Sequence, residues 1–237
     1  MPPHRSYQRS KRKKRHGFDA YIYGKGYSKL DHLQQLTERY PQLAVNIDDI
    51  KKAYKILCDA YTKGGKLLIA GNGGSASDAE HIAGELMKTF AKKRNLPETF
   101  ICEITKYDSE IADYLVPRMQ PGLPTIALSG HASLNTACIN DIDGNITFAQ
   151  QVYGYGNEGD VFLAISTSGN SKNVLYAAAV ARVKKLHIIA LTGESGGKLK
   201  QYADVCIRVP ETETWKIKEL HLPVYHVICM MLEEHFY

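Results

Sequence analysis

Five short, continuous apolar runs are spaced through residues 66–209, and helical periodicity fills the gaps between them. The runs are Lys66–Ala70, Pro124–Leu128, Val161–Ile165, His187–Leu191 and Val205–Val209. A strand that is apolar at every position is buried on both faces, so strands of this kind alternating with helices imply an α/β protein with a parallel sheet covered on both sides. Four of the runs end in small polar or glycine residues: Gly71-Asn72-Gly73-Gly74-Ser75, Ser129-Gly130, Ser166-Thr167-Ser168-Gly169 and Thr192-Gly193. Open parallel sheets bind ligands at the carboxyl ends of their strands, which is where these segments fall.

Before the first run, Leu30, Leu33 and Leu36, then Ile47, Ile50, Ala53, Tyr54 and Leu57, recur at intervals of three and four. That is the helix period, and it predicts two additional N-terminal helices separated at Pro41, the second ending at Gly64-Gly65. Residues 174–184 and 214–234 carry the same period, the latter across Pro223, which should kink the helix or lie near its first turns. Residues 91–123, with Pro97, Pro117 and Pro121, look like an insertion with helix near Ser109–Leu115.

Charge divides the chain into two segments. Residues 1–16 hold Arg5, Arg9, Lys11, Arg12, Lys13, Lys14 and Arg15 and no acid; without those seven, 23 basic side chains face 25 acidic ones, a net of −2. The expected organisation is a basic, disordered extension over 1–27 and one folded domain over 28–237. A basic cluster can serve as a nucleic-acid arm, but nothing aromatic or structured accompanies this one, so nucleic acid is not expected as a partner. No run of about 18 apolar residues exists to span a membrane, and the opening Met-Pro-Pro-His-Arg lacks the apolar core of a secretory signal. Five scattered cysteines with no Cys-x-x-Cys spacing exclude a disulfide scaffold and a cysteine zinc module, and point to the reducing cytoplasm.

Two loops have the chemistry of a phosphate cradle. In Gly71–Ser75 the glycines allow close backbone approach, and the N–H groups of the following helix, expected to begin near Ser77-Asp78, can hold an anion. Ser166-Thr167-Ser168-Gly169-Asn170-Ser171 places four hydroxyls in six residues after a buried strand. An N-cap accounts for one of them. His81 and Glu85, four apart, share one face of the helix leaving the first loop. With His226 on the terminal helix, they offer a carboxylate and imidazoles for aldose–ketose proton transfer, two ligands for zinc, or only a surface ion pair.

Taken together, Ala70-Gly-Asn-Gly-Gly-Ser75, Asp78-Ala-x-His81-x-x-x-Glu85-Leu86, Asn140-Asp141, Gly159-Asp160, Ile165-Ser-Thr-Ser-Gly-Asn-Ser171, Leu191-Thr-Gly193 with Gly196-Gly-Lys198, Ile207-Arg-Val-Pro210 and Glu219-Leu-His221…His226 resemble the sugar isomerase (SIS) domain, and within it the bacterial phosphoheptose isomerases, over about residues 28–237. The resemblance implies a single SIS domain with a five-stranded parallel sheet, and a homotetramer with sites between subunits. The implied reaction is conversion of sedoheptulose 7-phosphate to D-glycero-D-manno-heptose 7-phosphate, the first step of heptose synthesis for surface glycans. By motif, Glu85 matches the general base and His226 the general acid. Ser75, Ser166, Thr167, Ser168 and Ser171 match phosphate-binding positions, with Gly73 in the same cradle, and Asn72 and Asp141 line the sugar.

Some members carry zinc on a His, this Glu, a Gln and the C-terminal His. His81, Glu85 and His226 match three of these, but Lys218 stands in the place of the Gln. An ammonium has no lone pair for a metal. It can instead bind substrate and neutralise a developing enediolate. Trp215 stands where members often carry an Asp, and Thr89 near where short members place an Arg. These departures keep two other readings open: a non-catalytic SIS protein that binds sugar phosphate or protein partners, and an isomerase of another sugar phosphate.

Overall fold

The computed structural model describes residues 29–237; the basic segment 1–27 lies outside the described residues. Five strands, β1 (Leu67–Ala70), β2 (Thr125–Ala127), β3 (Val161–Ile165), β4 (His187–Thr192) and β5 (Val205–Arg208), form one sheet in the order β2-β1-β3-β4-β5, and every pairing is parallel. Each strand coincides with an apolar run to within a residue or two. The strand order reverses between β1 and β3, which makes the carboxyl ends of those two strands the switch point where a ligand crevice opens.

Side chains alternate cleanly across the sheet. Leu67, Ile69, Val161, Leu163, Ile165, Ile189 and Leu191 face one core; Leu68, Ala70, Phe162, Ala164, Ile188 and Ala190 face the other. The second core is closed by α7 (Thr147–Tyr155) and α8 (Lys172–Val183), whose Ala177, Ala178 and Ala181 let the helix lie close to the strands. The first core is larger. It is closed by α1 (Lys29–Arg39), α2 (Ile47–Thr62), α3 (Gly74–Met87) and α9 (Thr214–Phe236). Burying each large aliphatic side chain of these layers contributes about 1.5–3 kcal/mol.

A 3-10 turn, Pro41–Asn46, joins α1 and α2, with Pro41 at its start, where a missing N–H costs nothing. Within the insertion expected over residues 91–123, one helix, α5 (Ser109–Leu115), falls as predicted. A second, α4 (Glu98–Tyr107), was not predicted: Pro97 is its N-cap rather than a break. Helix α3 starts at Gly74, three residues before the expected Ser77, so a loop glycine forms its first turn. Pro223 sits inside α9, well past its first turn. Helix α6 (Ala132–Asp141) completes the set. Among the described residues no helix is long and apolar enough to cross a membrane.

Candidate active site

The two loops predicted to hold a phosphate meet at the switch point. Asn72, after β1, and Asn173, in the first turn of α8, exchange amide hydrogen bonds of 2.9 and 2.8 Å, which locks one loop to the other. Ser75 and Ser166 are buried, and the Ser166 and Ser171 hydroxyls lie 3.1 Å apart across the turn between β3 and α8. A third segment supports this turn. A Cβ on Gly169 would stand 2.1 Å from the Gly196 carbonyl oxygen, and one on Gly197 would stand 2.4 Å from that of Ser168. Two backbones touch there, and only glycine on both sides permits it.

Beside the loops, α3 and α9 pack against each other and supply the titratable groups. Nearest the first glycine loop, Lys218 of α9 forms an ion pair with Asp78 of α3, and its Cε lies 3.3 Å from where a Cβ of Gly74 would be. Burial pushes Lys218 down to about 8, while the Asp78 carboxylate favours the charged form. Next to it, His221 is wholly buried, and burial pushes it down to about 3, so it is neutral at ordinary pH.

Further along, Tyr225, His81, Glu85 and His226 gather. Burial pushes the Tyr225 phenol up to about 12, and its hydroxyl is hydrogen-bonded to His81 Nδ1 at 3.0 Å. The other ring nitrogen, Nε2, donates to Glu85 Oε1 at 3.1 Å. The second carboxylate oxygen, Oε2, is buried and makes no hydrogen bond among the described residues, and the same is true of His226 Nε2. The His226 ring stands 5.1 Å from that of His81 and 5.3 Å from Phe90. Burial holds His226 below the usual histidine range, helped by His81 and opposed by the Glu85 charge. A buried carboxylate oxygen and a neutral imidazole, neither engaged in a hydrogen bond and the carboxylate 3.8 Å from the exposed Lys88 ammonium, are what a proton shuttle needs.

The chain is similar in sequence to known phosphoheptose isomerases. Phosphoheptose isomerase 2 of Campylobacter jejuni is 40% identical over 188 residues, 79% of this chain and 81% of that protein. The phosphoheptose isomerase of Aneurinibacillus thermoaerophilus is 39% identical over 176 residues, 74% of this chain and 76% of that one. The SIS domain model matches residues 30–115 and 109–193. The chain belongs to the phosphoheptose isomerase branch of the SIS domain family. Solved phosphoheptose isomerases share its fold: the Francisella tularensis structure superposes with a TM-score of 0.68 at 30% identity, covering 88% of this chain and all of that one. For the Neisseria gonorrhoeae structure the TM-score is 0.63 at 28% identity, over 93% and 98% of the two chains.

Within this SIS domain, Asn72, Gly73, Ser75, Ser166, Thr167, Ser168 and Ser171 share the loop cluster, and His81, Glu85 and His226 share the α3–α9 seam. Asp141 is not drawn into either group. It lies exposed at the end of α6, accepting a 2.8 Å bond from Asn140. Trp215 is also exposed, donating to Glu213 at 3.1 Å.

The zinc set implied by the resemblance does not converge here. His81 spends both ring nitrogens on Tyr225 and Glu85, and Lys218, in the place of the Gln, carries a cation already paired with Asp78. Among the described residues no three His, Cys, Asp or Glu side chains are grouped to hold a metal. No chemical step is therefore routed through zinc. Two working residues had escaped the sequence reading, Tyr225 and Asn173. Each follows or precedes a residue that had been singled out, and only the packing of α3 on α9, or of loop on loop, gives it a partner.

Proposed function

We propose that this protein interconverts sedoheptulose 7-phosphate and D-glycero-D-manno-heptose 7-phosphate by acid–base chemistry through an enediol. The observation that carries the reading is Glu85 Oε2, which makes no hydrogen bond among the described residues and has only the exposed Lys88 ammonium 3.8 Å away, on the same seam as the His226 Nε2, which also makes none, beside a hydroxyl-rich loop cluster. The phosphate is held by the Ser75, Ser166, Thr167, Ser168 and Ser171 hydroxyls together with the N–H groups at the start of α3. Lys218 supplies a cation beside the first loop.

With the phosphate so anchored, Glu85 removes a proton from C1 of the ketose. His226, neutral at the start, donates its N–H to the C2 carbonyl oxygen, as an imidazole of lowered pKa can. The proton of the O1 hydroxyl then passes to His226, and Glu85 returns its proton to C2. One C–H bond breaks and one forms, O2 gains a proton from His226 and O1 gives one back to it, and the enzyme ends as it began. A positioned general base of this kind contributes about 10²–10⁴-fold in rate. The Tyr225–His81 relay keeps Glu85 Oε1 occupied, leaving Oε2 for the substrate.

The same reading gives a homotetramer. Helix α4 buries none of its side chains within the subunit, and Phe100, Ile111, Tyr114 and Met119 stand exposed around it. Apolar surface of that kind marks a contact with another chain, and light scattering measures the mass. The five free thiols suit action in the reducing cytoplasm.

The deciding experiment is an isomerase assay on sedoheptulose 7-phosphate with chelated and zinc-refilled protein side by side, together with proton exchange at C1 in deuterated water. Equal turnover in both preparations, with exchange, is expected. Tight phosphosugar binding with neither turnover nor exchange refutes the isomerase reading.

A further inference from the structure

Among the described residues, the most completely paired buried ions lie behind the acid–base pair, not in it. Arg94, in the segment that follows α3, and Glu233, near the end of α9, are both buried, and Arg94 Nε donates to Glu233 Oε1 at 2.9 Å. The guanidinium also donates from Nη2 to the Glu85 carbonyl at 2.9 Å and from Nη1 to the Leu86 carbonyl at 2.7 Å. These belong to the last turn of α3, whose carbonyls have no partner within the helix. The remaining capacity of Glu233 is filled by the backbone N–H groups of Phe90 at 2.8 Å, Ala91 at 2.7 Å and Lys92 at 2.9 Å. The Tyr237 ring lies 4.7 Å from the guanidinium and closes the site.

We propose that Arg94 and Glu233 are positioning residues for catalysis: they set the distance between Glu85 and His226. This rests on the assignment of Glu85 and His226 as the acid–base pair. Arg94 grips the backbone of Glu85 itself, so the carboxylate cannot shift along α3 without losing two charge-assisted hydrogen bonds. Glu233 grips the turn carrying Phe90, and Phe90 is the ring packed 5.3 Å from His226. Glu233 and His226 are seven residues apart on α9, two turns, and so lie on one face of the helix. A single ion pair thus ties the general base on one helix to the imidazole on the other. Lysine cannot replace this arginine, because one ammonium cannot cap two carbonyls and meet a carboxylate in the planar geometry of a guanidinium.

The test compares wild type, Arg94→Lys, Glu233→Gln and Glu85→Gln, each assayed well below its own melting temperature. For Arg94→Lys and Glu233→Gln, kcat falls about ten- to a hundredfold. KM for sedoheptulose 7-phosphate stays within about threefold, since the loops that hold the phosphate are remote from the clip, and the pH profile of kcat shifts because His226 has lost its fixed surroundings. Where Arg94→Lys does not fold, Glu233→Gln decides. Retention of kcat within about twofold in a folded variant overturns the proposal, as does a loss of kcat that only mirrors a loss of folded protein. An inactive Glu85→Gln beside a fully active Arg94→Lys removes the positioning role alone. An active Glu85→Gln removes the acid–base assignment and the clip's purpose with it.

Discussion

Gly169 offers the sharpest test of how the hydroxyl loop is held. Its φ is +64°, and a Cβ there would sit 2.1 Å from the Gly196 oxygen and 2.5 Å from its carbon. Both neighbours are backbone, so relief to an ordinary 3.4 Å contact requires the two loops to part by more than an ångström. Three bonds span that gap: Leu199 N–H to the Gly169 carbonyl, Gly193 N–H to the Thr167 carbonyl, and Lys198 N–H to Asn170 Oδ1, each 3.0 Å. At about 0.5–1.5 kcal/mol each, their loss costs roughly 2–4 kcal/mol. The left-handed backbone adds about 1–2 kcal/mol for any L side chain. Gly64 is the control: its φ is +79°, but a Cβ meets nothing within 4 Å, so Gly64→Ala incurs the backbone cost alone.

At about 2–4 °C per kcal/mol for a chain of this size, Gly64→Ala melts a few degrees lower and Gly169→Ala roughly 10 °C or more lower. The functional contrast is larger. Displacing Ser166, Thr167, Ser168 and Ser171 by about an ångström raises KM by at least about tenfold, while Gly64→Ala keeps wild-type KM. Thermal melts and steady-state kinetics on the two variants measure both. Equal melting temperatures and equal KM values in the pair refute the argument that the inter-loop contact holds the phosphate cradle.

Glu85→Gln keeps the Oε1 acceptor for His81 and removes at Oε2 only the ion pair with the exposed Lys88, a contact worth little, so its melting temperature changes little, while kcat falls at least about a hundredfold in the isomerase assay. His221 governs part of the acid limb of stability. Its folded value near 3 lies below the unfolded 6.5, so between those pH values the unfolded chain binds a proton that the folded one refuses. Stability is fully present above 6.5 and falls by up to about 1.4 kcal/mol per unit as pH drops through that window. His221→Gln flattens the slope in urea titrations at pH 4.5 and 7; an unchanged slope refutes it.

The strands and the two loops were legible because their signals are local. An apolar run ending in glycine or serine is a strand and its turn whatever surrounds it, and the register that buries Leu68 on one face and Ile69 on the other follows from the pleat. The Gly71–Ser75 and Ser166–Ser171 loops carry their chemistry in consecutive residues. What escaped depends on contacts between distant segments. Arg94 reads as one more basic residue in Lys92-Lys93-Arg94, and Glu233 as one more acid in Glu233-Glu234; 139 residues separate them, and only the packing of α9 along α3 buries both. Tyr225 reads as core, which it also is. Asp141 shows the converse: a motif position that in the subunit alone finds only Asn140 as partner.

Lys218 is where the two groups of residues meet. In the proposed reading the loops bind through hydroxyls and N–H groups and the α3–α9 seam moves protons, with the Lys218–Asp78 pair standing between them. Distance along the helices decides which side the ammonium serves. His226 is eight residues beyond Lys218, about 12 Å along α9, whereas Lys218 Cε lies 3.3 Å from the Cβ direction of Gly74 in the first turn of α3. On the proposed mechanism the charge is therefore expected beside the phosphate and not beside the enediolate. Lys218→Gln, which restores the side chain usual in the family, then raises KM by roughly tenfold and leaves kcat within about threefold, and raised ionic strength weakens wild-type binding more than that of the variant. A fall in kcat at constant KM places the ammonium on the enediolate instead and refutes the distance argument.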